Sequence, residues 1–220
     1  MEIKIENPSD GVYHAKFATR YECAATFLRL EEFYESPFKG IYRKHFTLEE
    51  YMDRYAQENG NFTYTIDWEG FNVPGNIVRM FFKRSSPFWH NMLCKETILY
   101  NNLVDVINSR KRFYLIGTSD EDGHDAIDHE YSHGFWYLNK YYRADQMHEL
   151  SRISKRNMAH LEKKLLEKGY RKSVFFDELQ AYFSTSTPKE LDIMFGSRLP
   201  KRVIKRCRAV FDQYRADLPA

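Results

Sequence analysis

His129-Glu130-Tyr131-Ser132-His133 is where reactive residue types recur at a spacing with chemical meaning. On a helix, residues four apart leave one face about a turn apart, so His129 and His133 can present two ring nitrogens to one ion. A tetrahedral zinc accepts such nitrogens at roughly 2.0–2.1 Å. Glu130, beside the first histidine, can reach a water next to that ion without binding the ion itself. That is the arrangement metal-assisted hydrolysis requires.

A catalytic zinc takes three protein ligands and keeps a fourth position open. Downstream of the pair the candidates are His148, Glu149, His160, Asp177 and Glu178. The first three sit in a lysine- and arginine-rich stretch and read as residues of a solvated face. For a helix over 172–184, Glu178 neighbours Val174, Phe175, Ala181 and Tyr182, which places it at the apolar border. Asp177 neighbours Ser173, Val174, Gln180 and Ala181, a mixed set nearer the polar side. A carboxylate against buried aromatics is rarely left unpaired. Glu178 is the favoured third ligand.

The elements that must carry these residues follow from pattern. Residues 2–6 and 12–17 alternate around a turn-rich stretch and predict a hairpin. Helical spacing runs from about 19 to 34 and stops before Pro37. Thr47 and Glu50 form a capping-box start for a helix to about 57, closed by Gly60. Residues 61–75 read as a strand and a long loop, and 76–84 are ambiguous. A helix is predicted over most of 86–110, and a strand over 111–118, ending near Gly117. Ser119-Asp120-Glu121-Asp122-Gly123 then supplies capping side chains and negative charge to the helix holding the two histidines. That helix is apolar nearly all round, as a buried one is. Further helices are predicted over 145–168, 172–184 and 200–215. The expectation is one α+β domain over 1–220, mostly helical, with a small sheet.

Composition supports a folded chain. Of 220 residues, 43% are hydrophobic and 29% charged, an ordinary globular composition rather than that of a disordered chain. Aromatics reach 16%, so the core is bulky. A net charge of +2 carries no global nucleic-acid or membrane signal. Lys201, Arg202, Lys205, Arg206 and Arg208 make the last helix basic, but its apolar side reads as packing, and nucleic acid is not the expected partner. Cys23, Cys94 and Cys207 are scattered and odd in number, as reduced thiols of a cytoplasmic protein would be. The start of the chain lacks the apolar core of a signal peptide, and no apolar run approaches the roughly 20 residues that cross a bilayer.

His129-Glu130-Tyr131-Ser132-His133 followed by Glu178-Leu179-Gln180-Ala181-Tyr182 on a later helix resembles the zincin metallopeptidases of the gluzincin type. Ile127 before the motif, uncharged Tyr131, Ser132 and Gly134, and Phe135 beyond suit the longer zincin pattern. The likeness covers about 111–185. It leaves 1–110 as an upper lobe or a family-specific extension, with 111–220 as the zincin-like part. It implies zinc held by His129, His133 and Glu178, and Glu130 as general base in hydrolysis of a peptide or protein substrate. It also implies that the strand at 112–117 is an edge strand along which an extended peptide lies. Either Asp125 or Asp128 would orient a histidine, unless each serves only as helix N-terminal charge. Tyr182 would stabilise an oxyanion, unless it is a core tyrosine. A second reading, from a different class, is a non-catalytic interaction protein with a structural or vestigial zinc site.

Overall fold

A computed structural model of the chain describes residues 2–196 and 199–216. Helices dominate, beside one small four-stranded mixed sheet, so the class is α+β. The chain divides into two compact units, Met1–Gly123 and His124–Ala220. The strand grouped by order with the histidine helix lies in the first of them.

In the first unit, β1 (Lys4–Ser9) and β2 (Val12–Phe17) form the expected hairpin. Gly11 turns it with φ at 85°, a conformation that glycine adopts at no steric cost. α1 (Arg20–Glu35) is capped by Thr19, whose hydroxyl accepts from the Glu22 N–H at 3.2 Å. α2 (Leu48–Asn59) opens with the Thr47–Glu50 capping box and closes at Gly60. The stretch 61–84 holds more structure than its sequence pattern suggests: α3 (Tyr64–Asp67), β3 (Phe71–Pro74) and α4 (Gly75–Phe81). The helix over 86–110 comes in two pieces, α5 (Pro87–His90) and α6 (Cys94–Asn108). The break is real because Glu96 turns back to accept the Leu93 N–H at 2.9 Å, starting a fresh helix.

β4 (Tyr114–Ser119) corrects one expectation. The sheet order is β1-β2-β4-β3, so β4 is interior, parallel to β2 and antiparallel to β3. It is not an edge strand, and its backbone is paired on both sides. The physical reason lies in its residues. All six are buried, and a run apolar toward both faces suits a central strand. β3 takes the edge instead and ends in Pro74, which has no N–H to donate. α1 packs on β2, β3 and β4. Gly117 makes this possible, since a Cβ there would meet the Phe27 ring at 2.4 Å.

The second unit is helical: α7 (His124–Leu138), α8 (Lys140–Leu150), α9 (Lys155–Glu167), α10 (Phe175–Thr185), α11 (Pro188–Phe195) and α12 (Lys201–Arg215). The single helix expected over 145–168 is two. Asn139 caps α8 by accepting from the Tyr141 and Tyr142 N–H groups, and Ser154 caps α9. α11 was not foreseen, although Thr187 and Glu190 form a capping box around Pro188. α10 lies against α7 and α12, and α8 against the same two helices. Leu161, Leu179, Phe183 and Phe195 anchor the apolar core of this unit. Among the described residues, no helix is long and apolar enough to cross a membrane.

Candidate metal centre

α7 buries residues 130 through 135 against its neighbours, so polar groups there need partners. His129 and His133 meet as their spacing requires, with the two Nε2 atoms 3.2 Å apart. Glu178 arrives from α10. Its carboxylate oxygens lie 3.7 Å from His133 Nε2 and 4.0 Å from His129 Nε2. One donor atom from each of the three residues falls within 4.8 Å of the others. Donors at roughly 2.0–2.1 Å around one tetrahedral ion stand about 3.3 Å apart, so the two Nε2 atoms already fit one ion and the Glu178 carboxylate would have to move in by about an ångström to join them. His133, Glu178 and Glu130 are nearly sealed, at 2%, 5% and 6% exposure. The side chain of His129, at 18%, is the open side of the group.

The two imidazoles differ electrostatically. Burial pushes His129 well below the ordinary histidine range, and the neighbouring His133 adds to this. Burial also acts to lower His133, but the Asp177 and Glu178 carboxylates more than reverse it and hold His133 above its usual value. His133 is therefore the more basic of the two rings, and a metal ion bound at Nε2 would take the place of its proton. A cation is favoured at this point by the acidic groups around it.

Outer contacts set which nitrogens face inward. His133 Nδ1 lies 2.8 Å from Asp177 Oδ1 and donates to it, leaving Nε2 turned to the cluster. His129 Nδ1 faces Thr185 Oγ1 at 3.4 Å, while that hydroxyl donates to the Ala181 carbonyl at 2.8 Å. Glu130 stands outside the three-residue group but close by, since its charge acts on both His133 and Tyr182. Among the described residues the set has three ligands, which leaves room for a fourth from solvent or substrate.

Other sequence candidates find different roles. Asp128 does not orient a histidine. It pairs with Arg215 at 2.9 Å, and Asp125 is exposed in the first turn. The acceptor is Asp177, the residue set aside as nearer the polar side. Tyr182 borders the site, its ring 4.8 Å from that of His129, and also packs on Phe195. Its hydroxyl lies 2.6 Å from that of Tyr170. His148 contacts Arg152, Glu149 pairs with Arg152 and Arg206, and His160 bonds the Phe195 carbonyl, so none joins the cluster. On the basic α12, Arg208 is also committed, to the Ser184 and Ser186 carbonyls, whereas Lys201, Arg202 and Lys205 are exposed. The three cysteines are free thiols. No protein-family model, curated protein or solved structure matches the chain.

Proposed function

We propose that the chain is a zinc-dependent hydrolase that cleaves peptide bonds. The observation that carries this reading is the convergence of His129, His133 and Glu178 into a three-ligand group, with Glu130 beside it and outside it. When bound, a zinc ion would acidify a water molecule and polarise the scissile carbonyl. Glu130 is the base in this reading: its carboxylate takes a proton from the attacking water and passes it to the leaving amine nitrogen. His129 and His133 hold the ion through Nε2, and Asp177 fixes the ring of His133. Burial of the carboxylates strengthens their action on charge by excluding water. That same burial is what a structural ion would also show, so a non-catalytic site is the competing reading.

Metal content and hydrolysis, measured together, separate the two. Purified wild type should carry about one zinc per chain, the stoichiometry of a single catalytic site. Glu178→Ala should lose the metal, and Glu130→Gln should keep it while losing cleavage of a mixed peptide library. Zinc retained with no hydrolysis by wild type would favour the structural ion. Folded wild type that takes up no metal would overturn both.

A further inference from the structure

Behind the cluster lies a buried polar chain that metal ligation alone does not require. Gln146 and Tyr142 on α8, Gln180 and Ser184 on α10, and the Cys207 carbonyl on α12 meet where an apolar core would otherwise be expected. Gln146, Tyr142 and Gln180 are all fully buried. Burying so many polar groups is costly unless their donors and acceptors match.

Gln146 Oε1 is buried without a partner, and the remaining donors and acceptors match in a way that gives the chain a direction. The Cys207 carbonyl can only accept, and it takes an N–H of Gln146 at 3.0 Å, which fixes the Gln146 amide. The same Nε2 lies 3.1 Å from the Tyr142 hydroxyl oxygen. Tyr142 has one proton and gives it to Gln180 Oε1 at 2.6 Å. The NH₂ end of Gln180 is thereby turned toward Asp177 Oδ1, at 3.3 Å, and the Ser132 carbonyl, at 3.4 Å. Asp177 Oδ1 thus receives N–H groups from both Gln180 and His133. It stays an acceptor.

We infer that Gln180, clamped at its carbonyl end by Tyr142, holds Asp177 as an acceptor and so presets the His133 tautomer with Nε2 free for metal. This assignment rests on the metal-binding reading above. Gln180 and Tyr142 are positioning residues: they reach the ion only through Asp177 and His133. With Gln180 gone, the Asp177 carboxylate loses one of its two N–H donors, and the ring it orients can tilt. The helices themselves keep their apolar packing.

The test compares zinc dissociation constants, cobalt(II) visible spectra and thermal midpoints of wild type, Gln180→Leu, Tyr142→Phe and Phe183→Leu. Phe183→Leu changes the same helix but touches only the apolar core. Loss of the direct outer partner of a metal ligand weakens binding by about 10-fold or more, so Gln180→Leu, one contact further out, should weaken zinc binding by less than that, about 3-fold. Tyr142→Phe should fall between it and wild type. Both should shift the cobalt spectrum, whereas Phe183→Leu should lower the midpoint and leave affinity and spectrum unchanged. Wild-type affinity in Gln180→Leu would overturn the inference and leave the metal site standing. Affinity that merely tracks the thermal midpoint across all three variants would also overturn it. A wild type that binds no zinc would sink this inference and the metal reading together.

Discussion

Asp177→Asn isolates what one carboxylate contributes to His133. The amide keeps the volume but removes the charge and one acceptor, so zinc affinity should fall about 10- to 100-fold with little change in thermal stability. Equilibrium competition with a chromophoric chelator measures it, and unchanged affinity would remove Asp177 from the site. Asp177 was misjudged from sequence for a definite reason. Weighing Ser173 and Val174 as its helical neighbours assumes a helix continuing N-terminally, but α10 begins at Phe175 after a 3₁₀ turn over Lys172–Val174. The meeting of His129 and His133 was legible because one helix carries both. Glu178 was legible because its own helix shows an apolar border. A second residue of the first unit gives a pH prediction. Burial pushes the Glu32 carboxyl above its usual range, and hydroxyls of Ser36, Tyr51 and Tyr64 offset this only in part. A carboxyl raised in the folded state contributes most below its unfolded value near 4.5, and that contribution is lost as pH rises through the folded value. Glu32→Gln should therefore gain stability over wild type from pH 4.5 to pH 7, read from urea unfolding at each. A difference that does not grow with pH would refute the assignment.

At the level of elements, α1 and the sheet depend on a missing side chain. Gly117→Ala places a Cβ against the Phe27 ring, and overpacking of this kind costs about 1–3 kcal/mol. Urea unfolding should show that loss, and Phe27→Leu combined with Gly117→Ala should recover part of it. A neutral Gly117→Ala would mean that α1 can shift freely on the strands. Pattern reading recovers elements whose limits have local chemical causes: Thr47 with Glu50 starts α2, and Gly60 ends it. It fails where periodicity runs on through a break. The stretch 145–168 looks continuous because apolar residues of α8 and α9 happen to keep helical spacing across the turn at 151–154. The Ser154 cap was there to be read. β3 lies within 61–75, where a strand was expected, but its limits and α3 were obscured because four-residue elements are too short to establish a period.

For the whole molecule, the division after Gly123 puts every candidate metal ligand in one compact unit. Zinc binding should accordingly be felt unequally along the chain. At free zinc one hundred times its dissociation constant, a ligand bound only by the folded state adds about 2.7 kcal/mol. Hydrogen exchange should show slowed amides in α7, α10 and the helices packed on them. Unchanged rates in α7 and α10 on adding zinc would contradict a site there. The α+β class was open to pattern reading because strand and helix periods are distinct. The interior place of β4 was marked only by its run of residues apolar toward both faces, which does not identify pairing partners far apart in sequence. The correction reaches beyond topology. Both hydrogen-bonding sides of β4 are spent within the sheet, so an incoming chain cannot extend the sheet there. Main-chain ladders recognise length and direction while remaining indifferent to side-chain identity. That mode of recognition is closed at β4 and is left to the outer strands of the sheet.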